Sequence, residues 1–332
     1  MMSTLLKSLF IGMWTAVFPL VVFAGTFAGT EPDSSSTGDA NLKALIAKGN
    51  KLMSAGQFYQ ALPIWYQIVD QDSANADANF KLGLCYYNSL DEQTKSLKYF
   101  KRASASLSRK YNFYAPDNKA APLDAIYFLG EAFLLSDQPD SAYEQFRMYQ
   151  DEYAGNPPLE VDRKLLMCVN ASKNKKTPRD VTLINLGDQI NSDFPETNPV
   201  LTVDNSVIFF SSRRLRDDES NIKIRDEASG KYLEDIYIAA VDKDGKWSKA
   251  GLFKLSSGFD EAPLYVTPDG LKLYIRRKEN GVHNIYESMY EDGVWSEPKK
   301  LGGGINSPFN ENGLSMSGDG SMLFFSSDRV GG

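Results

Sequence analysis

The spacing of apolar and polar residues divides the chain into two parts with different periods. Up to residue 177, apolar residues recur at intervals of about 3.6 positions, as in helices that bury one face. After it, apolar and polar residues alternate, as in strands that bury one face. The sequence therefore predicts a helical domain at residues 41–177 and a β domain at residues 178–332.

Within the helical part, a glycine, a small residue and an aromatic residue recur together three times. Gly49 and Gly83 are 34 residues apart, which is the tetratricopeptide period. Glycine inside a helix costs about 1 kcal/mol relative to alanine, so we expect each glycine to mark a close crossing with the second helix of its unit. The pattern predicts an α-solenoid of about three tetratricopeptide-type helical hairpins. The recurring positions are Gly49, Ala61, Trp65, Gly83, Ser96, Phe100, Gly130, Ala142 and Phe146.

An insertion and a further helix complete the predicted helical domain. Gly83 and Gly130 are 47 residues apart, and prolines interrupt the helical pattern between them, so we expect an insertion at residues 109–121. The amphipathic segment at residues 161–173 is expected to cap the repeats with a polar outer face. Such arrays usually offer a concave groove to a partner, but no residue here identifies a ligand.

Short motifs also recur in the β part. Trp247 and Trp295 lie in matching Gly-x-Trp-Ser motifs that are 48 residues apart. This interval fits a four-stranded propeller blade, so the pattern predicts an incomplete β-propeller of about three blades. We expect the tyrosines and tryptophans to pack between blades and the Asp-Gly pairs to form tight turns. The recurring positions are Asp235, Tyr237, Trp247, Asp269, Gly270, Tyr286, Trp295, Asp319 and Gly320.

The first 28 residues have the pattern of a secretory signal peptide. A short basic start precedes an uncharged apolar run that ends in small residues, with cleavage expected near Ala24 or Ala28. Pro19 interrupts the run, which is shorter than the ~20 residues that a membrane-spanning helix needs. Residues 29–40 are predicted to be a polar linker. We therefore expect an exported protein that has no membrane span after cleavage.

Charge and cysteine content narrow the classes of partner and of covalent chemistry. The 332-residue chain has a formal net charge of −7, with acidic and basic residues interspersed, which argues against a nucleic-acid partner. Cys85 and Cys168 both lie among apolar residues of predicted helices. Although export permits a disulfide, we expect both to behave as small buried hydrophobic residues.

No pattern in the sequence indicates catalysis, a metal or a cofactor. His283 is the single histidine, has no cysteine near it, and is expected to be a surface turn residue. No Gly-x-Ser-x-Gly motif places a nucleophile. Asp242 begins a sequence like a calcium loop, but Phe253 stands where that loop needs its last carboxylate, so a hairpin turn is predicted. We expect a protein that is not an enzyme.

One charged insertion is the candidate for partner docking. Residues 213–231 lengthen the first predicted blade and are dense in charges of both signs. Loops on a rigid scaffold often carry recognition, although a solvated loop is the simpler interpretation. The candidate docking residues are Arg213, Arg214, Arg216, Asp217 and Asp218.

The order of these motifs resembles a family of periplasmic proteins from Bacteroidota. The motifs include Asp-Ala-Ile-Tyr-Phe-Leu-Gly at residues 124–130, Asn-Leu-Gly-x-x-Ile-Asn-Ser at residues 185–192 and Ser-Ser-Asp-Arg at residues 326–329. In that family, tetratricopeptide repeats precede a TolB-like propeller of the PD40 (WD40-like) type, and an OmpA-like peptidoglycan-binding domain usually follows. The resemblance implies a tether between the outer-membrane machinery of type IX secretion and the cell wall. Peptidoglycan binding would belong to the OmpA-like domain, which this chain does not include.

The patterns and the resemblance together favour a non-catalytic periplasmic scaffold, associated with the outer membrane, that binds proteins of the cell envelope. Two other functions stay open at this point. One is the regulatory or substrate-gating front half of a propeller-containing hydrolase, and the other is a module that senses glycans or peptides. Because the predicted propeller stops inside its third blade, we expect this chain to be the front part of a longer protein.

Overall fold

The computed structural model of the protein describes residues 34–89, 91–154, 156–226 and 229–330. The chain forms two compact units: a mainly helical one, whose described part runs from residue 34 to Val181 and also includes residues 229–230, and one built from β-strands, which comprises Thr182–Asp226 and the described residues from Lys231 onward. The predicted order of a helical part followed by an antiparallel β part is therefore confirmed. The predicted signal peptide, residues 1–28, lies outside the described residues, and no helix within them is long and apolar enough to cross a membrane.

Seven α-helices form the described part of the helical unit. The first begins at Ser34, so the polar linker is shorter than predicted; serine and threonine are well accepted where a helix starts. A turn of 3₁₀-helix, Gln93–Lys95, precedes the fourth helix. The helices are α1 (Ser34–Ser54), α2 (Phe58–Gln71), α3 (Ala76–Tyr87), α4 (Ser96–Ala103), α5 (Asp124–Leu135), α6 (Pro139–Glu152) and α7 (Asp162–Lys176).

Neighbouring helices along the chain pack against each other and share one continuous core. The core runs from Ile46 in α1 to Cys168 in α7. Local signals explain where the helices begin: the Asn75 side chain accepts from the Ala78 N–H at 3.0 Å at the start of α3, and Pro139 occupies the first turn of α6. Both cysteines are buried and free, as small hydrophobic residues would be.

The predicted insertion is not helical, and it closes over α3. Its ends form two short parallel strands, β1 (Leu107–Ser108) and β2 (Ala121–Pro122). Between them, the Tyr111 hydroxyl donates to the Asp77 carboxylate, and Lys81 donates to the Phe113 carbonyl at 2.9 Å. Lys81 also pairs with Asp77 at 3.0 Å, and neither side chain of this pair is more than 4% exposed.

The β unit contains three antiparallel sheets within the described residues. Sheet 1 has the order β3-β4-β5-β6, sheet 2 has β7-β8-β9 with β10 and β11 both paired to β9, and sheet 3 has β12-β13. The strands are β3 (Glu196–Leu201), β4 (Val207–Ser212), β5 (Asp235–Ala240), β6 (Gly251–Leu252), β7 (Asp260–Val266), β8 (Lys272–Glu279), β9 (Val282–Glu291), β10 (Val294–Trp295), β11 (Lys299–Lys300), β12 (Glu311–Met316) and β13 (Leu323–Ser327).

Each sheet packs face to face with the next one along the chain. Phe209 and Ile236 of sheet 1 share a core cluster with Leu273 and Tyr286 of sheet 2. The opposite face of sheet 2 packs on sheet 3 through a second cluster that includes Leu314. The alternation of apolar residues along each strand therefore serves two interfaces, which gives the unit a propeller-like order of sheets.

Candidate partner-binding surfaces

Each recurring glycine of the helical unit faces the aromatic ring of its own repeat. A Cβ atom added to Gly83 would lie 2.6 Å from the Phe100 ring, closer than packed atoms approach. The same construction gives 2.8 Å between Gly49 and Trp65 and 2.8 Å between Gly130 and Phe146. All three rings are fully buried, as are the small residues Ala61, Ser96 and Ala142. These positions hold the two helices of each repeat together and present no surface to a partner.

The predicted Asp-Gly turns share one hydrogen-bond pattern. Asp269 accepts from the Thr267 hydroxyl at 2.5 Å and from the Leu271 N–H at 3.0 Å, and Gly270 has a φ of +71°. Asp319 accepts in the same way from Ser317 and Ser321, beside Gly320 at a φ of +70°. The Ser317 hydroxyl and the Ser321 donors lower the pKa of Asp319 to about 2. The calcium-like loop at Asp242 is also a turn, because its side chain accepts from the N–H of Asp244 and Lys246.

The recurring tyrosines and tryptophans occupy two different interfaces. The Trp295 ring packs edge-on against Phe209 of sheet 1, with 5.8 Å between ring centroids, and Tyr286 lies in the same cluster. These two residues therefore pack between sheets. Tyr237 and Trp247 instead lie on the other face of sheet 1, in a cluster of sheet 1 residues and Ile190.

A largely buried glutamate with the same partners recurs in all three sheets, and none of the sequence motifs predicted it. The serine four residues before each glutamate donates its hydroxyl to the carboxylate at 2.6–2.8 Å. An arginine near the end of the neighbouring strand pairs with the same carboxylate at 2.5–2.9 Å. We call each set a carboxylate clamp. The three clamps are Ser192–Glu196–Arg214, Ser257–Glu261–Arg277 and Ser307–Glu311–Arg329.

The balance of burial and hydrogen bonding differs between two of these clamps. Burial raises the pKa of Glu261, and the bonds from Ser257 and Arg277 only partly oppose it. At Glu311, burial also favours a higher pKa, but the combined donors from Ser307, Ser327 and Arg329 outweigh it and lower the pKa. The repeated Ser-x-x-x-Glu spacing was the signal in the sequence, but the arginine partner becomes visible only with the strand register.

The candidate docking loop has most of its charge engaged within the β unit. Arg213 contacts Glu234 and Asp260, each at 3.6 Å, and Arg214 belongs to the first carboxylate clamp. Arg216 makes a two-bond pair with Asp235, at 2.6 and 2.8 Å. Asp217 is 90% exposed, with Lys249 3.3 Å away, and Asp218 is exposed as well. Of the five candidate docking residues, the two aspartates are thus the ones that are exposed.

His283 is not the surface turn residue that the sequence suggested. It lies at the start of β9, is mostly buried, and its Nδ1 is 2.9 Å from the Asn312 Oδ1. Burial, helped by Arg276 and Lys278, lowers the pKa of His283 to about 4, so the ring is neutral at physiological pH. Within the described ranges, no group of three or more His, Cys, Asp or Glu side chains is placed to hold a metal ion.

An open groove of about 650 Å³ lies between α6 and α7. Asp140 and Glu144 of α6 line it, as do Lys173 and Lys176 of α7. Charges of opposite sign on the two helices would orient a bound polypeptide. Cys168 also lines the groove, but burial raises its pKa to about 11, so its thiol is protonated and is a poor nucleophile.

The outer face of α7 is more apolar than the predicted polar cap. Leu166, Met167 and Val169 are 60%, 44% and 52% exposed. Leu166 and Val169 are three residues apart and lie side by side on the helix, so we call this pair the α7 apolar row, whereas Met167 projects about 100° away from Leu166. Val169 also lines the groove, so the row and the groove form one continuous surface. Exposed apolar side chains beside a polar groove are a feature of many protein-binding sites. The signal in the sequence was Leu-Leu-Met-Cys-Val at residues 165–169, which no cap requires.

Comparisons with known proteins give weak structural likenesses. TolB from Acinetobacter baumannii matches 41% of this chain and 27% of its own chain, with 14% identity and a TM-score of 0.27. The MamA protein matches 46% of this chain and 82% of its own, with 19% identity and a TM-score of 0.29. No protein-family model matches the sequence, and a search of curated proteins finds no significant match.

Proposed function

We propose that the protein is a non-catalytic periplasmic scaffold that binds proteins of an outer-membrane assembly. The observation that supports binding is the α7 apolar row, Leu166 and Val169, two neighbouring apolar side chains that are each at least 52% exposed. When a partner covers exposed apolar area, the complex is stabilised by about 25 cal/mol for each Å² removed from water, so this helix face favours association. The adjoining groove supplies the charges that would select the partner.

The type IX secretion machinery is the specific assembly that we propose. The family resemblance supports this choice through the order of the motifs, from the helical repeats to Ser-Ser-Asp-Arg at residues 326–329. In this proposal, the helical unit docks on a membrane-associated protein, and the β unit presents a second surface at Asp217 and Asp218.

Export is the first test of this proposal. We expect the protein recovered from its native cells to be found in the periplasm and to begin near Gly25 or Gly29, after removal of the signal peptide. Intact mass measurement of the periplasmic and cytoplasmic fractions checks this. A cytoplasmic protein that keeps residues 1–28 would contradict the proposal.

Partner binding through α7 is the second test. The chain is cross-linked in an envelope fraction, and captured proteins are identified by mass spectrometry. We expect outer-membrane secretion proteins with the natural chain and their loss in the double variant Leu166→Lys/Val169→Lys. Asn174→Lys, which adds one lysine at an exposed polar position of α7, is the control, and it is compared with the single variants Leu166→Lys and Val169→Lys, which add the same charge. Equal capture by the double variant, or capture of no outer-membrane protein, would contradict the proposal.

A further inference from the structure

Four basic side chains form one row along α4 and the 3₁₀ turn before it. Lys95, Lys98, Lys101 and Arg102 are all exposed. Their spacing of three and four residues places them on one side of the helix, and the opposite side is buried in the core of the helical unit. We call these four residues the basic row.

The fold of the repeat does not require these charges. The recurring small residues Ala61, Ser96 and Ala142 align α4 with α2 and α6, the second helices of the other two units. At the four positions that match the basic row, neither α2 nor α6 carries a net charge. The matching residues are Gln60, Pro63, Tyr66 and Gln67 in α2, and Ser141, Glu144, Arg147 and Met148 in α6. A solvated helix face in this fold therefore needs no basic row.

Most of the charge in the basic row has no acidic partner in the chain. Lys95 pairs with Glu92, which precedes the helix. Among the ion pairs of the described residues, none includes Lys98, Lys101 or Arg102. Three neighbouring cations are thus held on one exposed helix face of a chain whose formal net charge is −7.

Aromatic rings and a groove give the lysines a defined setting. The Lys98 ammonium lies 5.4 Å from the centroid of the Tyr99 ring, and the Lys101 ammonium lies 5.0 Å from that of Phe133. An open groove of about 540 Å³ runs beside them, and the three lysines of the basic row line it together with Thr94. A small anionic group can therefore approach several ammonium groups at once.

We propose that the basic row binds an anionic lipid surface through the phosphates of its headgroups. Three of the four cations are lysines, which are depleted in protein–protein interfaces, whereas arginine is enriched there. Lysine acts as a point charge and suits a diffuse layer of phosphates, whereas paired recognition of a carboxylate favours the planar fork of arginine. Clusters of four or more basic residues on an amphipathic helix are typical of contacts with anionic lipids. This proposal does not depend on the proposed function, because it concerns lipid and not a protein partner.

The first test is co-sedimentation of the full chain with vesicles made of equal parts of phosphatidylglycerol and phosphatidylcholine. We expect each cation that is removed to weaken binding by about fivefold, so Lys98→Gln/Lys101→Gln should weaken it by about thirtyfold. Binding should also be lost in about 1 M salt, which screens charges beyond about 3 Å. Vesicles of phosphatidylcholine alone measure any binding by the apolar N-terminal run.

The matched control variant is Lys48→Gln/Lys51→Gln. These two lysines of α1 are exposed and also three residues apart, so the control changes the net charge and the helix surface by the same amount. We expect it to bind the anionic vesicles within about twofold of the natural chain. Circular dichroism should give the same unfolding temperature for both variants and the natural chain, because all four side chains are exposed.

Acetylation of lysines in the natural chain locates the contact without a substitution. We expect anionic vesicles to slow acetylation at Lys98 and Lys101 but not at Lys48 and Lys51, as measured by mass spectrometry. Polyglutamate and free inorganic phosphate, each at the anion concentration of the vesicles, should protect these lysines less.

Four results would overturn the proposal. The first two are equal vesicle affinity of Lys98→Gln/Lys101→Gln and the natural chain, and equal weakening by Lys48→Gln/Lys51→Gln. The third is stronger protection of Lys98 and Lys101 by polyglutamate than by vesicles, which would indicate an acidic polypeptide as the partner. The fourth is equal protection by inorganic phosphate, which would indicate a site for the free ion.

Discussion

The two units stabilise their individual repeats by opposite means. In the helical unit, a glycine leaves room for a buried ring, as at Gly83 and Phe100, so the joint depends on shape. In the β unit, a carboxylate clamp such as Ser257–Glu261–Arg277 depends on charge and hydrogen bonds. An added atom destabilises a closely packed contact, whereas the loss of one partner destabilises a buried charge pair. Substitutions that add or remove groups should therefore affect the two units differently.

The pair of Lys81 and Asp77 is the exception that sharpens this comparison. It is a buried charge pair inside the helical unit, and it lies where the insertion packs rather than at a glycine-ring joint. Burial is the largest influence on both groups, and it raises the pKa of Asp77 and lowers that of Lys81. Removing one partner of this pair should therefore lower the free energy of unfolding, as the loss of one partner of a carboxylate clamp does, although the surrounding fold is helical.

The largest effect should follow Lys81→Met. The variant leaves the Asp77 carboxylate buried without its ion pair, and we expect the free energy of unfolding to fall by about 3 kcal/mol. Denaturant unfolding followed by circular dichroism measures it. The double variant Asp77→Asn/Lys81→Met should recover most of the loss, because no charge stays buried. An unfolding curve of Lys81→Met equal to that of the natural chain would contradict the comparison.

Arg277→Met should have the next largest effect and lower the free energy of unfolding by about 2 kcal/mol near neutral pH. The loss is smaller than for Lys81→Met because Glu261 keeps its two hydrogen bonds from Ser257. The folded pKa of Glu261 is raised by burial, so its protonated form favours the fold, and this stability declines as pH rises above the unfolded value of about 4.3. Removing Arg277 raises that pKa further. The cost of the variant should therefore shrink as pH falls, as measured by unfolding between neutral and acidic pH.

Lys243→Met is the matched control for Arg277→Met. Lys243 is exposed in the Asp242 turn, so its loss should change stability by less than about 0.5 kcal/mol. A cost of Arg277→Met that stays constant with pH would show that the guanidinium does not act on the Glu261 carboxylate.

Gly83→Ala should have a smaller effect with the opposite physical origin. Overpacking against Phe100 costs about 1 to 3 kcal/mol, and the gain in helix propensity of about 1 kcal/mol offsets part of it. We expect a net loss of about 1 kcal/mol in denaturant unfolding. Phe100→Leu should make the alanine less costly in a double-mutant cycle. Ser54→Ala, at an exposed helix position, is the control. An increase in stability in Gly83→Ala would contradict the close packing of Gly83 against Phe100.

The residues in these predictions also show how much of the structure could be predicted from the sequence. Gly83 and Phe100 were predictable because their partners lie at a fixed spacing within one repeat. The contact of Tyr111 with Asp77 was not, because an irregular insertion has no period that places its side chains. His283 was misplaced for a related reason: its burial depends on the neighbouring strand that carries Asn312, 29 residues away. The arginines of the carboxylate clamps could not be predicted for the same reason, because the sequence does not show the register between neighbouring strands.

The smallest effect concerns the exposed Asp319 turn. Its pKa of about 2 lies below the ordinary value of about 3.9 because hydroxyl and N–H donors of Ser317 and Ser321 bind the carboxylate. The stability that it contributes is present above the unfolded pKa and is lost as pH falls through the folded one. Ser317→Ala should raise the pKa of Asp319 in a carboxyl NMR titration. An unchanged pKa would contradict the hydrogen-bond assignment.

The central claim about the β unit is that the segment after each sheet's third strand binds the backbone groups of that strand, as it does at Ile236 and Ile285. Amide hydrogen exchange of the chain tests it directly, by comparing the bonded backbone groups of Ile236 and Ile285 with residues 183–186, which form no strand. We predict slow exchange at Ile236, Ile285 and Leu301, whose N–H groups are bonded, and fast exchange at residues 183–186. Equally slow exchange at residues 183–186 would contradict the account.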